Sequence, residues 1–411
     1  MKARYAVFAI GLMLCMAGCM PIAPEAKIPW PARALGGQPP ARNLDSACVA
    51  DYRPDVDYFP EKTQFRHSTQ LQIEYGLHYK RVRFTPSVAK GEVLEYLFVQ
   101  CGTPIPKHRP HTPVVLVPIQ RLVTGNSAML GALDELGLVD RLYGAENTRS
   151  ISVASIRERV ALGLVHDMWG HGHATIEQVM AVRPDVYLSF YSAYPAGNLH
   201  PRLWELGVRA IAQADHHETH PLGRAEWIKL LAVMANREAV AEQKFEQIEQ
   251  QYRQWQALVS NVEHRPSVMT GFAAGRDVFE THGSHNHSAQ LIHDAGGHYV
   301  LADGQTSSLI YLPIEKVYAH AAQANRWLGT LGGQRSVQSL IASNALHGAF
   351  QPAITRQVYA WDRGYSGAWV YPFHDQSMTT PHIQLAEAIS ALHPERLALK
   401  DDELRFIRKL P

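Results

Sequence analysis

The chain has 411 residues, with 39 basic and 38 acidic side chains and a formal net charge of +1. This balance, without a long run of one sign, gives no indication of a nucleic-acid-binding surface. No stretch beyond the N-terminal region reaches the roughly 20 apolar residues that a membrane-spanning helix needs. The length exceeds the size at which one hydrophobic core usually divides, so two lobes are expected.

The N-terminus has the features of an export signal. A short basic segment precedes an uncharged apolar run over residues 5–16, and Ala17-Gly-Cys19 follows. This ending resembles the lipobox of bacterial lipoproteins, which implies a signal peptide over residues 1–19 and a lipidated Cys19. An ordinary secretory signal cut nearby is the alternative. Residues 20–45, rich in Pro, Ala and Gly, are interpreted as a flexible tether.

The remaining cysteines agree with an oxidising compartment. Cys15 lies inside the signal and Cys19 would carry lipid, which leaves Cys48 and Cys101 as an even pair. We expect these two to form a disulfide that closes the N-terminal region on itself. Two unpaired buried cysteines are the alternative.

Residues 46–112 are predicted to form a small β-rich extension. Alternating apolar and polar side chains over residues 70–75 and 79–84 indicate strands, and residues 93–100 form a third apolar run. Pro104 to Pro113 would end the extension.

From residue 113 the pattern changes to short apolar strands alternating with helical segments, which is typical of a parallel α/β lobe. We assign residues 113–224 to this lobe, with Val114-Val-Leu-Val117 as its first buried strand. The same alternation returns after Pro266, and residues 265–411 are assigned to a second α/β lobe. Further strands are predicted at residues 142–145, 186–190, 210–212, 267–272, 326–328 and 357–360. Helices are predicted at residues 176–182, 203–206, 288–295 and 385–392, and two more begin at residues 313 and 337.

Residues 225–264 are predicted to link the lobes through a helix. The segment from Ala225 to Val262 contains no proline and has a helical period over most of its length. An unbroken helix of this length would reach roughly 55 Å at about 1.5 Å per residue. Two helices with a break near Ala235-Asn236 are the alternative.

Four segments resemble the substrate-binding proteins that serve iron–siderophore and cobalamin ABC importers. They are Thr175 to Leu188, Pro221 to Lys229, Leu291 to Tyr299 and His393-Pro394, and the resemblance covers roughly residues 75–400. It implies a class III periplasmic-binding-protein fold, with two Rossmann-like lobes joined by a rigid helix and a ligand held between them. It also implies a monomer that delivers its ligand to an importer permease and has no intrinsic cofactor.

A faint internal correspondence supports two similar lobes. Ile176-Glu-Gln-Val179 leads into a predicted strand, and Ile314-Glu-Lys-Val317 leads into another after a spacing two residues longer. The resemblance implies that Glu177 and Glu315 dock the two lobes onto the permease. The alternative for each glutamate is a solvated residue in the first turn of a helix, where a carboxylate interacts favourably with the helix dipole. The alternative for the internal correspondence is two unrelated helix–strand units.

Nine of the 22 histidines lie in three clusters, at residues 166–173, 216–220 and 282–287. Each cluster follows a predicted strand, where loops of open α/β sheets border the ligand crevice. Neutral imidazole is a common transition-metal ligand. The first and third clusters come from different lobes, so we expect them to face each other.

The expected ligand is a ferric-siderophore-type chelate, with iron as part of the bound molecule. Such chelates are usually anionic and partly aromatic, which suits Arg, Tyr and Trp side chains. A tetradentate chelate leaves two iron positions open, and we expect His285 and Tyr371 to fill them. The side chains expected to contact ligand are Arg121, Trp169, His171, Tyr191, His285, His287, Arg363 and Tyr371.

Three other functions compete with this interpretation. Cobalamin or haem are ligand alternatives, and the histidine clusters also suit a bare transition metal, although they lack the spacing of a recognised zinc site. A metal-dependent envelope hydrolase is a third possibility, with His217-Glu218 or His293-Asp294 as its base. We expect no catalysis, since the chain has no Gly-x-Ser-x-Gly motif.

Overall fold

The computed structural model describes residues 39–169, 174–275, 277–302, 304–330, 333–367 and 370–411. The predicted signal peptide with Cys19, most of the predicted tether, and His171 lie outside these ranges. Within them, no helix combines the length and apolar character needed to cross a bilayer.

The N-terminal extension forms a four-stranded sheet. Its strands are β1 (Leu71–Tyr75), β2 (Tyr79–Phe84), β3 (Leu94–Gln100) and β4 (Val114–Val117), in that order across the sheet. The β1–β2 and β2–β3 pairs are antiparallel, whereas β3 and β4 are parallel. The alternation in β2 buries Lys80, Val82 and Phe84. Cys48 and Cys101 are joined by a disulfide.

The first lobe has a parallel sheet in the order β7-β6-β5-β8-β9. These strands are β5 (Leu122–Thr124), β6 (Leu142–Ala145), β7 (His166–Asp167), β8 (Val186–Phe190) and β9 (Ala210–Gln213). The helices are α1 (Leu130–Glu135), α2 (Ala154–Ala161), α3 (Ile176–Val182) and α4 (His200–Glu205). The lobe sheet begins with β5, whereas the sequence pattern points to residues 114–117. That segment is a strand, but it pairs with β3 of the extension.

The link between the lobes consists of consecutive helices: α5 (Pro221–Ala225), α6 (Ile228–Ala235) and α7 (Glu238–Leu258). Asn236 ends α6 in the left-handed region, with φ of 58°. The segment from Ala225 to Val262 therefore contains two helices, α6 and α7, as in the alternative with a break near Ala235-Asn236. Every residue of α6 is buried, and α6 belongs to the core of the first lobe and the extension. Phe245 and Tyr252 of α7 belong to the core of the second lobe.

A buried ion pair and a set of buried hydrogen bonds tie the extension to these linking helices. Lys80 pairs with Glu238, both side chains being fully buried, and Lys80 Nζ also donates to the carbonyl of Val233 (2.7 Å). The carboxylate of Glu226 accepts hydrogen bonds from the backbone N–H groups of residues 66, 67 and 68 and pairs with Lys229 (3.0 Å). A buried charge is tolerated when it is paired and hydrogen-bonded, and these carboxylates meet that condition through the extension.

The second lobe has a main sheet in the order β13-β10-β15-β16-β17 and a three-stranded antiparallel sheet, β11-β12-β14. In the main sheet β10, β13, β15 and β16 run parallel, and the edge strand β17 runs antiparallel to its neighbour. The strands are β10 (Ser267–Met269), β11 (Phe272–Ala273), β12 (Val278–His282), β13 (His298–Tyr299), β14 (Leu309–Pro313), β15 (Arg326–Thr330), β16 (Val358–Ala360) and β17 (Arg408–Lys409). The helices are α8 (His287–Asp294), α9 (Ile314–Ala321), α10 (Val337–Ser343), α11 (Gln351–Ile354), α12 (Pro372–Gln376) and α13 (Pro381–Leu392). The predicted two α/β lobes are therefore confirmed.

Candidate functional site

A cavity of about 490 Å³ lies between the two lobes. Its walls come from the segments that follow β8 and β9 in the first lobe and β10, β12 and β16 in the second, from Leu328 and Gly329 in β15, and from the starts of α8 and α13. These segments follow the carboxyl ends of their strands, which is where open α/β sheets bind ligands.

Histidine rings from both lobes line this cavity. His216 and His217 come from the segment after β9, His282 ends β12, His287 begins α8, and His374 lies in α12. Burial lowers the pKa of His217 to about 3 and that of His282 to about 4. Burial also lowers the pKa of His216, His287 and His374. These rings are therefore neutral at neutral pH, because the charged form loses its hydration in the cavity wall.

Three of the buried ring nitrogens in the cavity wall are unused by the protein. Nε2 of His217, Nδ1 of His282 and Nδ1 of His287 have no hydrogen-bond partner among the residues that the structure describes. The other ring nitrogen of His217, Nδ1, lies 3.3 Å from the hydroxyl of Ser308. A neutral imidazole with one nitrogen available can coordinate a metal or accept a hydrogen bond.

The guanidinium of Arg224 brings a paired positive charge to the cavity wall. It lies 3.0 Å from the carboxylate of Asp215 and 3.1 Å from the hydroxyl of Ser377. Its positive charge adds to burial in lowering the pKa of His282, His287 and His374. Since Asp215 offsets Arg224 and the imidazoles are neutral, these groups attract an anion only weakly.

Aromatic rings form much of the remaining surface. Phe190 stacks on His216 with ring centroids 4.6 Å apart and an interplanar angle of 9°. On the second lobe, Trp361 stacks on Phe373 at 5.4 Å. Tyr371 lines the cavity, and burial raises its pKa to about 12. Such walls bind planar or apolar parts of a small molecule.

The site does not hold a preformed cage for a bare metal ion. Across the described ranges, no group of three or more His, Cys, Asp or Glu side chains is placed to hold one. A tight bare-metal site wants three or four converging ligands. The arrangement can instead supply one or two donors to a metal whose other positions are already filled.

Two of the predicted ligand residues lie in the cavity wall, His287 and Tyr371. The other described ones lie elsewhere: the lining does not include Arg121, Trp169, Tyr191, His285 or Arg363. His171 lies outside the described residues. The metal pair predicted at His285 and Tyr371 is therefore not brought together in the cavity, because only Tyr371 of the two lines it.

Arg121 lies at the opposite end of the first-lobe sheet. It directly precedes β5, and its guanidinium donates to the carbonyl of Val182 (2.6 Å) and lies 4.4 Å from the ring of Tyr143. If residues 114–117 were the first strand of the lobe, Arg121 would follow the carboxyl end of that strand, on the side of the cleft. With β4 in the extension sheet, Arg121 stands at the amino end of the first lobe strand, away from the cleft.

The other predicted ligand residues that do not line the cavity are Tyr191, Arg363, His285 and Trp169. Tyr191 is buried, and its hydroxyl donates to Glu92 (2.5 Å) in the extension. Arg363 makes a bidentate pair with Asp401, both contacts being 2.8 Å. His285 is exposed in the turn before α8, and Trp169 is 41% exposed.

The second histidine cluster contributes His216 and His217 to the cavity wall, opposite His282 and His287 of the third cluster. The prediction instead has the clusters at 166–173 and 282–287 face each other, but the described residues 166–169 do not line the cavity. The residues missing from the prediction are Phe190, Tyr194, His216, His217, Arg224, His282, Tyr311, Trp361 and His374. Many of them lie at or just after the end of a strand or near a helix start, which a sequence pattern places only to within a few residues.

Glu177 and Glu315 are both exposed, in the first turns of α3 and α9. Each of these helices leads into a strand, β8 in the first lobe and β15 in the second. The two glutamates therefore occupy equivalent positions in the two lobes.

Comparison with known proteins is consistent with this architecture. Residues 122–365 match the family model described as periplasmic binding protein. An uncharacterized lipoprotein of Methanocaldococcus jannaschii is 22% identical over 223 residues, 52% of this chain and 53% of the relative. The chain thus spans about half the length of the curated relative that it matches.

Several solved structures have a similar fold. A periplasmic binding protein of Veillonella parvula has a TM-score of 0.54 at 12% identity, covering 76% of this chain and 98% of its own. A periplasmic heme-binding protein of Pseudomonas aeruginosa has a TM-score of 0.53 at 18% identity, with coverages of 71% and 98%. An ABC-type Fe³⁺-hydroxamate transport system of Saccharomonospora viridis has 0.51 at 16%, with coverages of 66% and 92%.

At these identities the solved structures show the fold alone. The family model, however, covers more than half of the 411 residues, including β5 to β16 and the residues on both sides of the cleft. The chain therefore belongs to the periplasmic binding protein family.

Proposed function

We propose that this chain captures a ferric chelate of the siderophore type in the cleft between its lobes and delivers it to the permease of an ABC importer. Membership of the family supports the role of solute-binding protein in the cell envelope. The observation that carries the choice of ligand is the set of neutral histidine rings around one cavity. Neutral imidazole binds iron and other transition metals.

A chelate fits the site better than a bare ion. The described part of the chain offers no cluster of three metal-binding side chains, whereas a chelate brings most of the donors itself. The aromatic wall formed by Phe190, His216 and Trp361 suits the organic part of such a ligand. Haem and cobalamin belong to the same class of metal chelate and are the alternatives that the assay must separate.

We assign the metal contacts to His217 and His287, one from each lobe, with Tyr371 as a further candidate donor. His217 Nε2 is buried without a partner in the described structure, and His287 lines the same cavity. These residues take the place of His285, which is exposed outside the cavity. A ligand held by both lobes would stabilise one arrangement of the lobes.

The proposal is tested by titrating the intrinsic tryptophan fluorescence of the mature protein, since Trp361 lines the cavity. The probes are ferric hydroxamate and catecholate siderophores, the same molecules without iron, haemin, cyanocobalamin, and bare zinc, nickel and cobalt. We expect saturable quenching by a ferric siderophore at sub-micromolar concentration. Quenching by haemin or cyanocobalamin alone would replace the ligand, and a response only to bare metal salts would contradict the chelate.

Variants connect the binding to the named residues. His217→Gln and His287→Gln should each weaken binding of the quenching probe at least roughly tenfold, because even the loss of a group that only supports a metal ligand costs about 10- to 100-fold in affinity. His298→Gln, at an exposed histidine outside the cavity, is the matched control and should bind normally. Unchanged affinity in both cavity variants would contradict the assignment.

The proposal includes a membrane anchor and a docking surface. We propose that Cys19 carries lipid, and the lipoprotein character of the relative from Methanocaldococcus jannaschii supports this. We also propose that Glu177 and Glu315 meet the permease. Exposed charges at equivalent positions in the two lobes can orient an encounter without holding the ligand. In this arrangement the mature protein acts as a monomer on the envelope side of the importer.

A further inference from the structure

The segment that carries His216 and His217 is fixed from the outside by the N-terminal extension. Gln70 Nε2 donates to the carbonyl of Ala214 (3.0 Å). The hydroxyl of Ser87 donates to the carbonyl of His217 (3.0 Å). The buried carboxylate of Glu218 accepts from both the backbone N–H and the hydroxyl of Thr69, at 3.0 and 3.1 Å. Residues 214–218 thus have attachments to the extension at both ends and between them.

The second lobe holds the same segment from the other side. Asn286 Nδ2 donates to the carbonyl of His216 (3.3 Å), and the backbone N–H of His287 donates to the carbonyl of Glu218 (3.0 Å). The His287–Glu218 contact joins the start of α8 directly to the end of the histidine segment. Ser87 also reaches this lobe, because its hydroxyl lies 2.9 Å from that of Ser307. One hydroxyl of the extension therefore contacts both lobes at the edge of the cavity.

We propose that the extension is part of the ligand-binding apparatus, in which Ser87 is a positioning residue that holds the His217 segment of one lobe against the Ser307 segment of the other. The inference rests on the proposed function, since it concerns the same cleft. The family match begins at residue 122, so Ser87 lies outside the matched region and Ser307 inside it. Through this contact, the position of the Ser87 loop, which does not line the cavity, influences how far apart the two lobes lie.

The neighbours of Ser87 show how its position reaches the metal contacts. Ser308, next to Ser307, lines the cavity and lies 3.3 Å from Nδ1 of His217. Gln70 is buried and accepts from the backbone N–H of Ser87 (3.2 Å), so a shift of the loop disturbs the Ala214 contact as well. Loss of the Ser87 hydroxyl should let the lobes separate more often and release a bound ligand faster.

The test uses the full mature protein with Ser87→Ala, and with Ser87→Thr as the conservative variant that keeps the hydroxyl. Thr103→Val is the matched control, because Thr103 also donates to a backbone carbonyl of the extension, that of Gln100 (2.7 Å), but does not line the cavity. The probes are a ferric trihydroxamate, haemin and cyanocobalamin, followed by stopped-flow fluorescence. Amide hydrogen exchange at residues 216–218 and 287 is measured without any probe.

We expect Ser87→Ala to raise the dissociation rate of the bound probe about three- to tenfold, the effect of losing one or two hydrogen bonds. The association rate should change by less than about twofold, and exchange of the His287 amide should speed up. Ser87→Thr should restore both values, and Thr103→Val should leave both unchanged.

A lower melting temperature in Ser87→Ala with unchanged dissociation and unchanged exchange would assign Ser87 a purely structural role and overturn the proposal. If no probe binds the wild-type protein, the proposed function fails while the exchange measurement still decides whether Ser87 holds the lobes together. The two failures are therefore distinguishable.

Discussion

Replacing His217 with glutamine should make the stability of the protein less sensitive to acid. Burial lowers the pKa of His217 to about 3 in the folded state, whereas an exposed histidine in the unfolded chain titrates near about 6.5. As the pH falls below about 6.5, the unfolded chain therefore binds a proton that the folded protein does not. Above about pH 6.5 His217 is neutral in both states and leaves the unfolding free energy unchanged. As the pH falls from there towards the folded pKa, protonation of the unfolded chain lowers the unfolding free energy progressively.

The size of the effect follows from the pH interval. The interval from about pH 6.5 to pH 5 spans about 1.5 pH units, and over it this one group lowers the unfolding free energy by about 2 kcal/mol. His217 is only 5% exposed, so solvent screening reduces this value little. The assay is urea unfolding at about pH 7.5 and about pH 5, on the wild type, on His217→Gln and on the exposed-site control His298→Gln.

We expect the loss of stability between the two pH values to be about 2 kcal/mol smaller in His217→Gln than in the wild type. The control should lose as much as the wild type. An equal loss in His217→Gln would mean that the ring is already protonated or well hydrated in the folded protein, and would refute the argument that burial keeps it neutral.

Three further predictions concern other parts of the molecule. Cys48→Ser should lower the unfolding free energy by about 4 kcal/mol, because the disulfide with Cys101 closes a loop with a sequence separation of 53 residues; chemical denaturation under non-reducing conditions measures it. Lys80→Met should cost about 3–5 kcal/mol in the same assay, because the buried carboxylate paired with it loses its partner. Glu177→Arg combined with Glu315→Arg should abolish uptake of the transported chelate in growth assays while its affinity for the isolated protein stays unchanged.

Local sequence patterns are sufficient for most of the secondary structure. The predicted helix at residues 176–182 coincides with α3, where Thr175 and Gln178 form a capping box. The predicted strand at residues 79–84 coincides with β2, where alternation separates buried from more accessible side chains. Periodicity works at such places because one face of the element is buried and the other is not.

Strand partners cannot be read from the same patterns. Val114-Val-Leu-Val117 is apolar enough to be a strand in either sheet, and only its pairing with β3 places it in the extension. That single difference moves Arg121 from the expected cleft to the far end of the lobe. Likewise, the buried pair Lys80–Glu238 joins residues that are distant in sequence, so no local signal could reveal it.

The sequence predicts the location and general chemistry of the site, a histidine-lined cleft between two lobes, but only some of the residues that line it. Histidine clusters after strands correctly direct attention to the cleft, and His287 and Tyr371 lie in its wall. Which members of a cluster point inward depends on the last residue of each strand: His282 ends β12 inside the cavity lining, whereas His285 is exposed three residues later. A shift of one or two residues at a strand end is beyond the resolution of a sequence pattern.

The contacts of Glu226 have a consequence for the order of folding. Its partner backbone groups begin at Arg66, which is 160 residues earlier in the chain, and the bond from Lys80 to Val233 spans 153 residues. During synthesis the extension therefore appears first, yet the carboxylates and carbonyls that complete it are made much later. Contacts of such long range form slowly, and until then the apolar side chains of β1 and β2 that pack with α6 in the folded protein stay uncovered and can aggregate. We expect the newly made chain to be most prone to aggregation before the linking helices have been synthesised.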